Sequence, residues 1–452
     1  MPDYTEDTIV ALATPLGDGA LSTIRMSGPE SYSAIDKIFK GNEKIINCSG
    51  NTIHYGRIFD SSDNIIDDVL VSVFKGPNSY TGEDSIEIST HGSQLIVKKI
   101  IKELINNKVR LAEPGEFTKR AFLNGKMDLA QAEAVADIIH SRTDASLRGA
   151  RNQLDGILSN KITYLREKLI NISSLLELEL DFAEEDIELV SLNDIRKNIE
   201  EVKNEIDALL GTYSFGRVIR DGVNVALVGK PNVGKSSLLN YILKESRAIV
   251  TDIPGTTRDI IREEVSIDGV LFRLYDTAGI RLAKDSIEEE GILRSREAVE
   301  NADLVLFISD VITGFNIGLY NQLLELTAEN RIIKVVNKID LRQEININAD
   351  VYVSAITGKG VDKLLQVLKN KTIGSKSYSE KTAIVSNIRH YNSLERAKEN
   401  LIKGKEALSK GLTGEFIAID LRNAEDSLGE IIGKITTDDI LNNIFSSFCI
   451  GK

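Results

Sequence analysis

The residues Gly229-Lys-Pro-Asn-Val-Gly-Lys-Ser236 fit the spacing G-x-x-x-x-G-K-[S/T], the pattern of a phosphate cradle. Its glycines let backbone N–H groups close on phosphate oxygens, and a helix starting there adds partial positive charge. In that frame Asn232, Val233, Gly234, Lys235, Ser236 and Ser237 line the phosphates. Lys235 reaches the β- and γ-phosphates, and Ser236 ligates Mg²⁺. Further segments follow in the order a nucleotide-hydrolysing domain requires. Asp276-Thr277-Ala278-Gly279 ends an apolar run, with Asp276 suited to the outer coordination of Mg²⁺ and the Gly279 N–H to the γ-phosphate. Asn337-Lys338-Ile339-Asp340 ends another. The Asp340 carboxylate can accept from both the ring N–H and the exocyclic amine of guanine. Adenine lacks that donor pair, so the base read is guanine and the substrate GTP. Ser354-Ala355-Ile356 then supplies a backbone contact to the base.

Thr256 and Thr257 lie in a loop rich in Gly, Pro and Asp, between the cradle and Asp276. One of them completes the Mg²⁺ shell when GTP is present, and Thr257 is the favoured choice. Many GTPases position the attacking water with a Gln directly after D-x-x-G. Here Ile280 stands in that place and cannot orient water, and Arg281 follows. Glu288, within the acidic stretch 285–290, is a candidate water-positioning base; the alternative is that this stretch is a solvated charged face. Asn232 offers a side-chain oxygen to a monovalent cation, which would supply the charge an arginine finger otherwise gives.

These residues need a scaffold that presents loops at the ends of parallel strands. Short aliphatic runs at 223–228, 271–275, 304–309, 332–336 and 351–353, interleaved with turns and helical spacing such as 237–243, predict a doubly wound, mostly parallel α/β sheet. Before it, residues 8–13, 19–26, 68–74 and 85–89 read as strands, and 94–107 as a helix. Residues 124–210 and 388–452 repeat apolar positions at three and four residues, the pattern of long amphipathic helices. The expected architecture is multidomain. It has an N-terminal α+β domain at 1–120, a helical domain in two pieces at 121–215 and 376–452, and an inserted P-loop domain at 216–375.

Composition narrows the setting. The 452 residues carry a formal net charge of −13, so a protein that coats nucleic acid non-specifically is not expected. The absence of Trp and an aromatic content of 6% argue against a broad base-stacking platform. No apolar run approaches the length of a membrane span, and MPDYTEDTIV is unlike a secretory leader. With two cysteines, Cys48 and Cys449, no disulfide framework is possible, and a cytoplasmic protein without membrane association is expected.

Beyond the P-loop domain, several blocks resemble the MnmE (TrmE) family of tRNA-modification GTPases. They are Gly76-Pro-Asn-Ser-Tyr-Thr-Gly-Glu-Asp84, Pro114-Gly-Glu-Phe-Thr-Lys-Arg-Ala-Phe-Leu-Asn124, Met127-Asp-Leu-Ala-Gln-Ala-Glu-Ala134 and the terminus Ile444-Phe-Ser-Ser-Phe-Cys-Ile-Gly-Lys452. The resemblance implies an enzyme acting on the wobble uridine of certain tRNAs. It would attach an aminomethyl or carboxymethylaminomethyl group at carbon 5 with a flavin-dependent partner, MnmG, in a heterotetramer or larger complex. It also implies a homodimer, a K⁺-stimulated GTPase driven by approach of the two P-loop domains, and a one-carbon donor such as 5-formyltetrahydrofolate or another tetrahydrofolate. Carried across residue by residue, the folate contacts are Arg25, Glu87, Lys126 and Lys452. The K⁺ ligands are Asn232, Thr251, Ile253 through its backbone, and Thr256, and Glu288 becomes the water-orienting group. Cys449 is the family's C-terminal cysteine, open to a catalytic or a structural reading. A competing reading of the whole chain is a regulatory GTPase switch that binds RNA or ribosome and performs no modification.

Overall fold

The computed structural model describes residues 7–181, 191–245, 247–248, 262–276, 296–342, 344–373, 382–411 and 414–452. Its packing divides into two units, Met1–Ala136 with Leu428–Lys452, and Asp137–Ser427.

In the first unit, alternation of buried and exposed side chains builds a sheet with one face in the core. Its strands are β1 (Thr8–Leu12), β2 (Gly19–Ser27), β3 (Phe39–Gly41), β4 (Thr52–Phe59), β5 (Ile65–Phe74), β6 (Ser85–Gly92) and β7 (Val109–Leu111), in the order β3-β4-β5-β6-β2-β1-β7. Every pairing is antiparallel except β1 with β7. Val69, Val71 and Val73 of β5 and Ile86 and Ile88 of β6 are buried beneath α2 (Gln94–Asn106), following α1 (Ser31–Asp36); α2 contributes Val97, Ile100 and Leu104. The expected strands are present, and β3, β4 and β7 are additional to them. Helices α3 (Glu116–Leu123) and α4 (Leu129–His140) follow. The terminal helix Asp438–Ser446 packs here too: Leu441, Phe445 and Phe448 join Leu129 and Ala132 in one apolar cluster. The first unit thus extends past the expected boundary at 120 and takes in the last segment of the chain, which sequence periodicity grouped with the second helical piece.

The second unit contains the helices α5 (Asp144–Leu154), α6 (Ile157–Asp181), α7 (Leu192–Leu210) and α8 (Tyr213–Asp221). A second sheet then has the order β14-β13-β12-β8-β11-β10-β9. Its centre is β8 (Val223–Val228), followed by α9 (Lys235–Glu245), β9 (Arg247–Ala248), β10 (Arg262–Ile267), β11 (Val270–Asp276) and β12 (Leu304–Asp310). After them come α10 (Ile317–Leu326), β13 (Ile332–Asn337), β14 (Val351–Tyr352) and α11 (Val361–Ile373). The run β11-β8-β12-β13-β14 is parallel, while β10 pairs antiparallel with β11 and with β9. Its parallel strands are nearly continuous apolar runs because both faces are covered, as β12, buried at every position, illustrates. Helices α12 (Ile388–Ser409) and α13 (Gly414–Ile432) complete the chain order before the terminal helix. No described helix is long and apolar enough to cross a membrane.

Candidate nucleotide site

Four parallel strands, β11, β8, β12 and β13, end on the same edge, where a doubly wound sheet gathers its loops. The turn between β8 and α9 is the cradle. Gly229 has no room for a side chain, since a Cβ there would lie 2.1 Å from the Ile308 carbonyl oxygen. Gly234 adopts φ +93°, and a Cβ there would lie 2.4 Å from Asn337 Nδ2. Asn232 takes a left-handed φ of 64°, which its short amide side chain tolerates. Lys235 is 5% exposed, and its Nζ donates to the carbonyls of Gly229 at 2.7 Å and Lys230 at 2.9 Å. Burial pushes its ammonium below the ordinary lysine range, with the Asp276 charge working in the opposite direction. A cation already threaded through its own loop stands where phosphate charge would be received.

Ser236 Oγ donates to Asp276 Oδ2 at 2.8 Å, joining the first turn of α9 to the end of β11. Two hard oxygens side by side beside the cradle fit Mg²⁺, which takes oxygen ligands only. Val233 is 2% exposed and belongs to the apolar core beneath the loop. Ser237 lies in the first turn of α9.

On the other side of the cradle, Asn337 is 1% exposed and works as a brace. Its Nδ2 donates to the Val233 carbonyl at 3.0 Å, and its Oδ1 accepts from the N–H groups of Lys338 at 2.8 Å and Ala355 at 3.0 Å. The phosphate loop, the end of β13 and the segment after β14 are therefore tied through one amide. Lys338, at φ 61°, sends Nζ to the Asn232 carbonyl at 2.6 Å and to Asp310 Oδ2 at 3.0 Å. Asp340 Oδ1 accepts from Ser354 Oγ at 2.5 Å, and Ser354 is fully buried. Ile356 is 78% exposed. Because the Ala355 N–H is engaged by Asn337, the backbone contact expected from this segment is partly committed within the protein.

Asp310 is a site residue that sequence reasoning did not single out. It ends β12, accepts from the N–H groups of Ile312 at 3.1 Å and Thr313 at 2.8 Å, and holds Lys338. Burial alone would raise its pKa. The Thr313 N–H, Lys338, the Thr313 hydroxyl and the Ile312 N–H outweigh that and bring it down to about 2. An acidic residue closing an otherwise largely apolar strand, three residues before a Thr, was the available signal.

Several expected contributors, namely Thr251, Ile253, Thr256, Thr257, Thr277, Ala278, Gly279 and Glu288, lie outside the described residues.

In the first unit, Arg25 and Glu87 face each other across β2 and β6, with Arg25 Nε 2.9 Å from Glu87 Oε1. The Arg25 guanidinium lies over the rings of Tyr80 and Phe117, at 5.3 and 5.8 Å from their centroids, and Nη1 donates to the Gly451 carbonyl at 3.4 Å. Gly451 brings the terminus onto β1, since a Cβ there would lie 2.3 Å from the Leu12 carbonyl oxygen. Lys452 therefore ends close to the Arg25–Glu87 pair. Burial and then the Arg25 charge push its ammonium down, while Glu87 and Cys449 oppose them. Lys126 Nζ donates to the Pro77 carbonyl at 2.9 Å, on the same loop that carries Tyr80. Cys449 is an exposed free thiol whose carbonyl accepts from the Lys452 N–H at 3.3 Å. Arginine and lysine beside a carboxylate bring anion-binding donors and an acceptor together at one place.

A phosphate cradle at the carboxyl edge of a parallel sheet, braced against an Asn-Lys-x-Asp turn, defines a P-loop GTPase domain. The regions on either side specify which one. The family described as MnmE helical domain matches residues 129–449, and that described as GTP-binding protein TrmE N-terminus matches 8–126. A tRNA modification GTPase MnmE of Cytophaga hutchinsonii is 46% identical over 453 residues, covering 99% of this chain and 98% of that protein. Proteins with the same description from Carboxydothermus hydrogenoformans and Clostridioides difficile are each 42% identical, covering 99% of this chain and 100% of their own. The chain belongs to the MnmE (TrmE) family of tRNA modification GTPases.

Proposed function

We propose that this chain couples GTP hydrolysis to modification of carbon 5 of wobble uridine in certain tRNAs, together with a flavin-dependent partner of the MnmG kind. The observation that carries the reading is the meeting of Lys235, the Ser236–Asp276 pair and the Asp340–Ser354 pair on one sheet edge, in a chain matched along 99% of its length by tRNA modification GTPases. Lys235 and the cradle N–H groups take the β- and γ-phosphates. Ser236 and Thr257 hold Mg²⁺, which neutralises charge on the phosphates when bound. Asp340 takes the guanine edge, where Ser354 Oγ now donates. Asn232, Thr251, Ile253 and Thr256 hold K⁺, and Glu288 sets the attacking water.

In the first unit, Arg25, Glu87, Lys126 and Lys452 bind a one-carbon tetrahydrofolate, close to the Cys449 thiol. Ile53, Tyr55 and Leu70 are 66%, 64% and 45% exposed on neighbouring β4 and β5, and such an apolar face supports pairing with a second copy. A tRNA substrate is compatible with the expected cytoplasmic setting.

Reconstitution with the flavin partner, tRNA, GTP and 5-formyltetrahydrofolate, followed by nucleoside analysis, tests the reading. Modified wobble uridine that requires hydrolysable GTP is expected. Unchanged nucleosides alongside normal GTP turnover would leave only a regulatory switch. Turnover in KCl should far exceed that in NaCl, and equal rates would remove the K⁺ ligands from the scheme.

A further inference from the structure

Away from the nucleotide and folate residues, Glu43, Cys48 and His54 converge at the end of the first sheet. Their ligand atoms all lie within 4.8 Å of one another, the one such group among the described residues. Cys48 Sγ is 3.6 Å from His54 Nδ1, and Nδ1 is 3.8 Å from Glu43 Oε1. Tetrahedral coordination of zinc, with metal–ligand distances of about 2.0–2.3 Å, places neighbouring ligand atoms roughly 3.4–3.6 Å apart. The two contacts to His54 Nδ1 lie within a few tenths of an ångström of that spacing.

The surrounding hydrogen bonds prepare His54 for this role. The Thr52 hydroxyl has one proton, and it is given to the Ser49 carbonyl at 2.5 Å. Its contact with His54 Nε2 at 2.8 Å must therefore be made by the ring N–H, with Thr52 accepting. That tautomer leaves Nδ1 bare, with its lone pair directed toward Cys48 and Glu43, and a hydrogen-bonded outer nitrogen is how metal-ligating histidines are oriented. The loop is fixed as well. Asp36 accepts from the N–H groups of Ile45 at 2.6 Å and Ile46 at 3.1 Å, and Cys48 is 2% exposed within the apolar core. Glu43, with 55% of its side chain exposed, leaves the outer side open to water.

We propose that Glu43, Cys48 and His54 form a site for a borderline-soft divalent cation, zinc above all, with water as fourth ligand. On binding, the Cys48 S–H bond breaks, the sulfur keeps the electron pair for the metal, and the proton leaves to solvent. One thiolate, one carboxylate and a neutral imidazole then bring the charge of a divalent ion to zero, which suits a half-buried position. Burial and the Glu43 charge otherwise hold the Cys48 thiol protonated. The ion would pin the loop after β3 to β4.

Titration of Co²⁺ into the reduced full-length chain, in excess Mg²⁺, reads the site through thiolate-to-cobalt charge-transfer absorption. One equivalent giving that band, displaced by Zn²⁺, is expected. Cys48→Ser should abolish it and Cys449→Ser should retain it. Thr52→Val, which removes the hydroxyl that orients His54 together with its bond to the Ser49 carbonyl, should weaken Co²⁺ binding about 10–100-fold with the far-ultraviolet circular dichroism unchanged. A wild-type chain without the band, a band lost in Cys449→Ser but kept in Cys48→Ser, or unchanged affinity in Thr52→Val would overturn the proposal.

Discussion

At Asp340, one oxygen already accepts from the buried Ser354 hydroxyl at 2.5 Å, so the carboxylate is held in one orientation before any base arrives. Guanine brings two N–H donors to that group. Hydrogen bonds to a charged partner contribute about 1.5–3 kcal/mol each, so replacing one carboxylate oxygen by an amide NH₂, which loses one acceptor and turns a donor toward the exocyclic amine, weakens binding by roughly 10–100-fold. Asp340→Asn should therefore lose GTP by that factor and gain xanthosine triphosphate, whose ring offers an acceptor where guanine has an amine; titration with fluorescent analogues of both nucleotides checks this. Asp310 acts one step further back, through Lys338. Its pKa, about 2 in the folded chain against an ordinary 3.8, is depressed, so its stabilising contribution is complete above about pH 4 and is lost as pH falls toward 2. Asp310→Asn should flatten that segment of the acid-unfolding curve. Combined with Lys338→Ala, its effect on nucleotide affinity should be less than the sum of the single effects, because both changes remove one ion pair.

Among the elements, the turn from β8 into α9 is the most constrained. Gly234 combines φ +93° with an amide nitrogen 2.4 Å from where a Cβ would sit. Gly234→Ala should introduce strain of about 1–3 kcal/mol and push Asn337 off the cradle. Nucleotide affinity should drop at least about tenfold, with a modest fall in melting temperature, as measured by calorimetry and thermal unfolding. The turn was legible in the sequence because its chemistry is local and its neighbours β8 and α9 have unmistakable patterns. The central strands were legible because burial on both faces demands continuous apolar runs. By contrast, β10 reads Arg-Glu-Glu-Val-Ser-Ile, a polar strand toward the edge of its sheet, and nothing in its composition announces pairing. In β4, Ile53 and Tyr55 point to the exposed face, so the apolar positions do not mark the core. The Asp310–Lys338 and Asn337–Val233 ties join residues 28 and 104 positions apart, and such pairing is created only when parallel strands bring their ends together.

For the molecule as a whole, chain order and packing order differ. The last residues, Leu428–Lys452, complete a unit begun at the amino terminus, although the whole of another unit, Asp137–Ser427, intervenes. Helical periodicity gave no hint of this, because it reports which face of a helix is apolar and not which partner covers it. Truncation after residue 437 would uncover Leu129 and Ala132 and remove Leu441, Phe445 and Phe448, each nearly fully buried. At about 1.5–3 kcal/mol per large apolar side chain, the first unit should lose roughly 5 kcal/mol or more and melt at lower temperature, while GTP affinity stays near its full-length value. Differential scanning calorimetry with and without GTP separates the two.

Phosphate release from GTP and from ATP, measured on the full-length chain with Mg²⁺ and on its Lys235→Ala variant, tests most directly whether Lys235 and Asp340 hold one guanosine triphosphate. The expected result is GTP turnover that excess ATP does not inhibit and that Lys235→Ala abolishes. Equal turnover of ATP, or a Lys235→Ala variant that hydrolyses GTP at the wild-type rate, would contradict it.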